Sequence, residues 1–163
     1  MIIFLDFDGV LNADKDSGNH PAIFFIDQEK VALLNRIPAM LPDVRFVLST
    51  SWRTENALKS LAAGQDTGMN LLEYLREQGF QGEFHEDWRT PWRSEDIVGR
   101  GGADWIRGDE VRSWLERNGL KHAKHVILDD MDDFYPDQPL VRTDAWEGLT
   151  EADVDKAIAM LAG

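Results

Sequence analysis

The first residues of the chain whose types and spacing suggest chemistry are Asp6 and Asp8, two carboxylates one residue apart. The apolar run before them predicts a buried strand, and Gly9 after them predicts the turn that ends it. Residues two apart share one face of an extended strand, so both carboxylates can point into one small volume. Two like charges so close need a proton or a cation, and Mg2+ prefers such oxygen ligands. An isolated Asp-x-Asp pair is also compatible with a polar turn that only caps a strand.

Two further apolar segments also end in polar residues. Residues 45–48 are followed by Ser49 and Thr50, and residues 125–128 are followed by the acidic segment 129–133. Between these predicted strands, apolar residues recur at helical spacing. Strands that alternate with helices predict an α/β fold, a parallel sheet covered by helices on both faces. The three polar strand ends would then open at one edge of the sheet, where ligands bind.

Capping residues and chain breakers predict the boundaries of the other elements. Helices are expected to begin near Asp27, Thr54, Asn70, Gly108 and Thr150. Pro38 and Pro42 are expected to close the first of these helices, and Gly79 to close the third. Other expected segments are a loop at 13–20, an irregular stretch at 80–104 with at most a short strand at 82–85, and a short last strand from 140.

Length and composition limit the function classes. A chain of 163 residues without a linker or repeat predicts a single domain, residues 1–163. Its net charge of -13 disfavours extended binding to nucleic acid, although a short phosphorylated end could still be held by a metal. Cysteine is absent, which excludes disulfides and thiolate metal sites. We expect no signal peptide and no membrane-spanning segment, and therefore a cytoplasmic protein.

Tryptophans and arginines are interleaved between residues 88 and 107. Such a segment can stack bases and hold phosphates, or its tryptophans can simply pack irregular structure against the core. Acidic residues occur throughout the segment, which favours the packing alternative.

The motifs, taken in chain order, resemble those of the haloacid dehalogenase (HAD) superfamily. They are Leu-Asp6-Phe-Asp8-Gly-Val-Leu, Val-Leu-Ser49-Thr50, a basic residue before a helix, and Val-Ile-Leu-Asp129-Asp130. The match extends over nearly the whole chain. The resemblance implies a phosphohydrolase with a three-layer Rossmann-like fold. The chain has little room for the cap domain that many members carry, so we expect a minimal cap or none.

The resemblance also implies roles for the acidic residues. Asp6 would be the nucleophile that forms an aspartyl-phosphate, and Asp8 would protonate the leaving oxygen and then activate water. Magnesium would be bound by Asp6, the backbone carbonyl of Asp8 and one acid of the third motif. Asp129 is the first choice for that acid, followed by Asp130 and then Asp133.

Other site residues follow from the same resemblance. Ser49 would hydrogen-bond the transferring phosphoryl group, with Thr50 as the alternative register. The family usually places a lysine before the third motif, and Arg107 lies at about that place here. Arg53, in a Ser-Trp-Arg sequence that resembles small HAD proteins linked to RNA repair proteins, would contact phosphate or substrate, or lie on the surface. Gly9 completes the substrate-binding candidates.

The predicted function is a magnesium-dependent phosphatase that acts on a phosphomonoester. An open site suits a macromolecular end or a bulky phosphoester, so a phosphorylated nucleotide or polynucleotide end is the leading substrate class. One alternative is a small-metabolite phosphatase. Another is a non-catalytic domain of the same fold that binds phosphate or docks a partner. No oligomeric state is predicted.

Overall fold

Five strands form one parallel sheet in the computed structural model, which describes residues 1–19, 25–53, 71–92 and 105–163. The strands are β1 (Ile2–Leu5), β2 (Arg45–Leu48), β3 (Glu83–Arg89), β4 (His125–Asp129) and β5 (Leu140–Arg142). Their spatial order is β3-β2-β1-β4-β5, and every neighbouring pair is parallel. β1 is therefore central, with β2 and β4 on its two sides.

Helices cover both faces of the sheet. The described helices are α1 (Gln28–Leu34), α2 (Arg36–Met40), α3 (Leu71–Glu77), α4 (Arg107–Arg117) and α5 (Glu151–Ala162), with short 3-10 helices at Asp14–Asn19 and Ser51–Arg53. The side chains of Ile3 and Leu5 belong to a core shared with α1, α2, α3 and α5. Ile2 and Phe4 face the other way and pack with Trp114 of α4. All four β1 residues are buried because both faces of a central parallel strand are covered.

The register of the central strands brings their carboxyl ends to the same level. Leu5, the last residue of β1, lies opposite Leu48 of β2 and Leu128 of β4. The residues that follow these strand ends are thus neighbours at one edge of the sheet. This is the arrangement predicted from the sequence, and the α/β fold is confirmed.

Several predicted boundaries differ from the structure. The irregular stretch after Gly79 contains a seven-residue edge strand, β3, rather than four residues at 82–85. The sequence does not reveal it because β3 is only half-buried and charged residues interrupt its apolar ones. Pro38 does not close a helix but lies within α2, close enough to its start that a missing N–H removes no helical hydrogen bond. The expected loop at 13–20 contains a 3-10 helix.

Some expectations concern parts of the chain that the structure does not describe. The helix expected near Thr54 and most of the tryptophan-arginine segment lie outside the described residues. Trp88 of that segment lies within the described residues. Its side chain is partly buried and packs against the core. Within the described ranges, no helix is both long and apolar enough to cross a membrane. The single domain and the cytoplasmic location stay predictions.

Candidate active site

Three strand ends meet at the carboxyl edge of the sheet and present Asp6, Ser49 and Asp129. The backbone N–H of Asp6 donates to the carbonyl of Leu128 at 3.0 Å, and that of Ser49 donates to the carbonyl of Leu5 at 2.8 Å. These bonds extend the ladder of the sheet past the last strand residues. The polar residues are therefore held by the backbone of the sheet and do not depend on a flexible loop.

Asp6, Asp129 and Asp130 form a tight cluster of carboxylates. One oxygen from each lies within 4.8 Å of the others, and Asp6 and Asp129 are buried. Burial raises the pKa of Asp6 to about 6, although Arg107 opposes the shift. Burial and then the charge of Asp6 raise the pKa of Asp129 to about 8. Three hard oxygen donors that repel one another in a buried place fit a divalent cation, which would relieve the repulsion.

Arg107, the first residue of α4, lies between two of these acids. Its Nη1 is 3.1 Å from Oδ2 of Asp6, and its Nη2 is 3.0 Å from Oδ2 of Asp129. Nη2 also donates to the backbone carbonyl of Ser49. Burial works against the charge of the guanidinium, but Asp6 and Asp129 raise the pKa of Arg107 above its ordinary value. The site therefore has a fixed positive charge that contacts all three strand ends.

Asp133 secures the start of the helix that carries Arg107. Its carboxylate accepts the backbone N–H of Arg107 at 3.3 Å, and its carbonyl accepts the N–H of Gly108 at 3.1 Å. These two N–H groups have no partner within the helix, as expected for a first turn. Asp133 thus acts at the helix terminus, whereas Asp129 and Asp130 belong to the carboxylate cluster.

Asp8 is exposed, and its carboxylate is held by one side chain from its own turn region and by one from the 3-10 helix after β2. Nδ2 of Asn12 donates to Oδ1 of Asp8 at 3.0 Å, and Nε1 of Trp52 donates to Oδ2 at 2.9 Å. The charge of Asp8 also contributes to the raised pKa of Asp6, so the two carboxylates are electrostatic neighbours. The arrangement keeps Asp8 beside the cluster without making its side chain part of it.

Gly9 allows the turn after Asp8 to pass close to the third motif. Its φ of 66° is in the left-handed region, and a Cβ at this position would come within 2.6 Å of Cγ of Asp130. The hydroxyl of Thr143 donates to the carbonyl of Gly9 at 2.7 Å and fixes the turn from the end of β5. The structure gives Gly9 this steric role, and substrate binding by Gly9 stays a prediction.

Ser49 and Thr50 differ in how their hydroxyl groups are used. Oγ of Ser49 is buried and has no hydrogen-bond partner among the described residues. Oγ1 of Thr50 accepts the backbone N–H of Trp52 at 3.3 Å. An unpaired buried hydroxyl costs roughly 1–3 kcal/mol, so a bound oxygen ligand would stabilise the Ser49 position.

Arg53 is 1% exposed, so the surface alternative for this residue is wrong. Nη2 of its guanidinium lies 2.5 Å from Oε2 of Glu110, and Nε donates to the carbonyl of Thr90 at 3.1 Å. Burial lowers the pKa of Arg53 and raises that of Glu110, so desolvation opposes both charges. In this conformation Arg53 connects the ends of β2 and β3 to α4, and its contact with a substrate stays a prediction.

Four residues that shape the site have no role predicted from the sequence. They are Asn12, Trp52, Glu110 and Thr143. Asn12 lies four residues after Asp8, and Glu110 lies one helical turn after Arg107, so the spacing offered a weak signal for these two. Nothing in the sequence connects Thr143 with Gly9, because their contact depends on how β5 pairs with β4.

A comparison with known families agrees with this geometry. One family model, described as the HAD domain in Swiss Army Knife RNA repair proteins, matches residues 2–154. The chain belongs to this family. No curated protein and no solved structure matches the chain significantly. The family supports a HAD-type phosphohydrolase in general, and HAD domains generally use Mg2+.

The buried Arg53–Glu110 pair leads to a prediction about stability. Glu110→Gln should lower the free energy of unfolding by about 3 kcal/mol, because it leaves the buried guanidinium without its charge partner. Urea unfolding at neutral pH measures this change.

Glu116→Gln, on the same helix, is the matched control. Glu116 forms an exposed ion pair with Lys121 at 2.7 Å, and because solvent screens such a pair, its loss should change the free energy of unfolding little. Equal effects of the two substitutions would show that Glu110 does not stabilise Arg53.

Proposed function

We propose that the chain is a magnesium-dependent phosphatase that hydrolyses a phosphomonoester through an aspartyl-phosphate on Asp6. The observation that carries the proposal is the placement of the Asp6 carboxylate. It lies 3.1 Å from the guanidinium of Arg107 and clusters with Asp129 and Asp130 at the carboxyl edge of the sheet. A nucleophile, a fixed cation and a set of metal ligands are the components that phosphoryl transfer requires.

The first chemical step transfers the phosphoryl group to the protein. An oxygen of Asp6 attacks phosphorus, the bond between phosphorus and the leaving oxygen breaks, and Asp8 donates a proton to that oxygen. Arg107 stabilises the negative charge that spreads over the other phosphoryl oxygens. Ser49, whose buried hydroxyl is unpaired among the described residues, would donate to one of them.

The second step regenerates the nucleophile. A water molecule attacks the phosphorus of the aspartyl-phosphate while Asp8 accepts its proton. The acyl phosphate bond breaks, inorganic phosphate leaves, and Asp6 is again a carboxylate. General acid and base catalysis of this kind contributes roughly 100- to 10,000-fold in rate.

The electrostatics of the site support a role for a bound cation. The carboxylates of Asp6, Asp129 and Asp130 surround the guanidinium of Arg107, and the negative charge of Asp8 acts on both Asp6 and Asp130. A phosphate dianion would be repelled by this excess of negative charge. Asp6, Asp129 and Asp130 would hold Mg2+, which would supply positive charge against the phosphate. Asp133 is less suited because it is not a member of this carboxylate cluster and lies instead at the start of α4, where it accepts the backbone N–H of Arg107.

For the substrate we propose a phosphorylated nucleotide or polynucleotide end. The family description refers to RNA repair proteins, which supports a nucleic-acid end. The net charge of -13 argues against a long contact with a polyanion, so only the terminal phosphate and its nearest neighbours would be bound. A small-metabolite phosphatase remains the alternative. A non-catalytic domain is disfavoured, because such a domain needs neither Asp6 nor the hydrogen bonds that hold Asp8.

The mechanism predicts that Asp6→Asn abolishes hydrolysis of p-nitrophenyl phosphate in the presence of Mg2+, because an amide cannot accept the phosphoryl group. Release of p-nitrophenol measures the rate, and circular dichroism confirms that the variant is folded. Asp155→Asn, an exposed change of the same type on α5, should keep the wild-type rate. Full activity of Asp6→Asn would contradict the proposal.

Magnesium should stabilise the folded protein. At ten times its dissociation constant, Mg2+ should contribute about 1.4 kcal/mol, which raises the melting temperature by about 3 to 6 °C. Asp129→Asn should lose this gain, and Asp155→Asn should keep it. Thermal denaturation with and without Mg2+ measures both, and an equal gain in all three proteins would place the ion elsewhere.

The same gain should depend on pH. Because the pKa values of Asp6 and Asp129 are raised above 3.8, the metal-free folded protein binds more protons than the unfolded chain between about pH 4 and pH 8. Its stability therefore falls as the pH rises through this range. Magnesium must displace those protons, so its effect should be larger at pH 8 than at pH 6. A stabilisation by Mg2+ that decreases from pH 6 to pH 8 would contradict the assignment of Asp6 and Asp129 as metal ligands.

The substrate proposal predicts an order of catalytic efficiency. Short oligonucleotides that carry a 3′- or 5′-phosphate should have a higher kcat/KM than sugar phosphates, with nucleoside monophosphates between them. Release of inorganic phosphate measures each rate. A preference for sugar phosphates would support the small-metabolite alternative.

A further inference from the structure

We propose that Trp52 is a positioning residue for Asp8, and that its indole N–H holds the Asp8 carboxylate where it can exchange a proton with the leaving oxygen. This inference rests on the proposed function and adds a residue to it. Trp52 comes from the segment after β2, whereas Asp8 comes from the turn after β1. Their hydrogen bond therefore connects the first motif to the segment that follows the second motif.

Asp8 needs such a partner because of its location. It is exposed and lies in a turn, where a carboxylate would ordinarily sample several side-chain rotamers. The donors from Trp52 and Asn12, at 2.9 Å and 3.0 Å, bind opposite oxygens of the carboxylate. Two such bonds restrict both the position and the plane of the group. Catalysis depends on this restriction, since a proton must be transferred over a hydrogen-bonding distance.

Trp52 is itself held rigidly. Trp52 is only 2% exposed, and its ring packs edge-on against the ring of Phe7 with 5.3 Å between the ring centroids. Its backbone N–H is bound by the hydroxyl of Thr50, and the next residue, Arg53, is anchored by Glu110. The indole therefore cannot rotate away from Asp8 without disturbing the core.

The chemistry of the indole suits this role. An indole N–H donates but does not accept, so Trp52 can orient the carboxylate without taking the proton that Asp8 transfers. Each carboxylate oxygen still has a second lone pair that can face the substrate. Asn12 is a poorer probe of the same effect, because its side chain also binds the N–H of Gly9 and the carbonyl of Phe25 and so shapes the turn.

Leaving-group dependence separates positioning from a structural role. Trp52→Phe keeps an aromatic ring but removes the N–H. A poor leaving group, such as the alkoxide of an alkyl phosphate, needs the proton from Asp8, whereas p-nitrophenolate leaves without it. The value of kcat/KM, which reports formation of the aspartyl-phosphate, should fall about 10- to 100-fold for the alkyl phosphate, as expected when one hydrogen bond to a charged group is lost. For p-nitrophenyl phosphate it should change less than about threefold.

Two further variants make the test specific. Trp114→Phe is the matched control, because Trp114 is also buried and its Nε1 donates at 2.9 Å to the backbone carbonyl of Asp87, on the other face of the sheet. It should not change the ratio of the two kcat/KM values. Asp8→Asn should change that ratio in the same direction as Trp52→Phe, and by more. If Trp52→Phe does not fold, benzothienylalanine at position 52 keeps the shape of the ring and replaces its N–H by sulfur.

The outcomes distinguish this inference from the proposed function. If the wild-type protein hydrolyses neither substrate, the proposed function fails and the inference fails with it. If the wild type is active but loss of the N–H at position 52 lowers both rates equally or neither, the inference alone is overturned. The inference is supported if Trp52→Phe lowers kcat/KM selectively for the alkyl phosphate and Trp114→Phe does not.

Discussion

The guanidinium of Arg107 joins three strand ends, and the arrangement of the site depends on this contact. It lies 3.1 Å from Asp6 and 3.0 Å from Asp129, and it binds the carbonyl of Ser49. Without it, the buried carboxylates from neighbouring strands would lose the cation that contacts them and offsets their repulsion. The raised pKa values of Asp6 and Asp129 show that the single guanidinium offsets the repulsion and burial only in part. The remaining negative charge suits a site that also binds a divalent cation.

A second buried ion pair secures the helix from which Arg107 extends. Glu110, one turn along α4, is bound by Arg53, whose guanidinium also reaches the carbonyl of Thr90 just after β3. Trp52, next to Arg53, extends to Asp8. The short segment after β2 thus has two functions: it ties the edge strand to α4, and it holds the exposed acid of the first motif. These contacts give a physical role to Trp52 and to Arg53 in the segment that follows Thr50.

The strand ends were predictable from the sequence because each is an apolar run that stops at polar residues. The supporting contacts were not. β3 is only half-buried and carries no apolar run, so the sequence predicts an irregular stretch there with at most a short strand at 82–85. Thr143 reaches Gly9 only through the pairing of β5 with β4, and Glu110 reaches Arg53 only because α4 packs near the end of β2. Such contacts depend on tertiary structure, which local periodicity does not encode. Arg107 was predictable by position, whereas its bridge between Asp6 and Asp129 required the register of β1 and β4.

Asp6 is proposed to carry the phosphoryl group during turnover, and reductive trapping can detect this intermediate. Borohydride reduces an acyl phosphate to an alcohol, so adding it during steady-state hydrolysis should convert Asp6 to homoserine. Peptide mass spectrometry locates the change. The nucleophilic role of Asp6 predicts homoserine at position 6, dependent on both substrate and Mg2+, with Asp8 and Asp129 unchanged. Continued hydrolysis with reduction at another carboxylate, or with none at position 6, would contradict it.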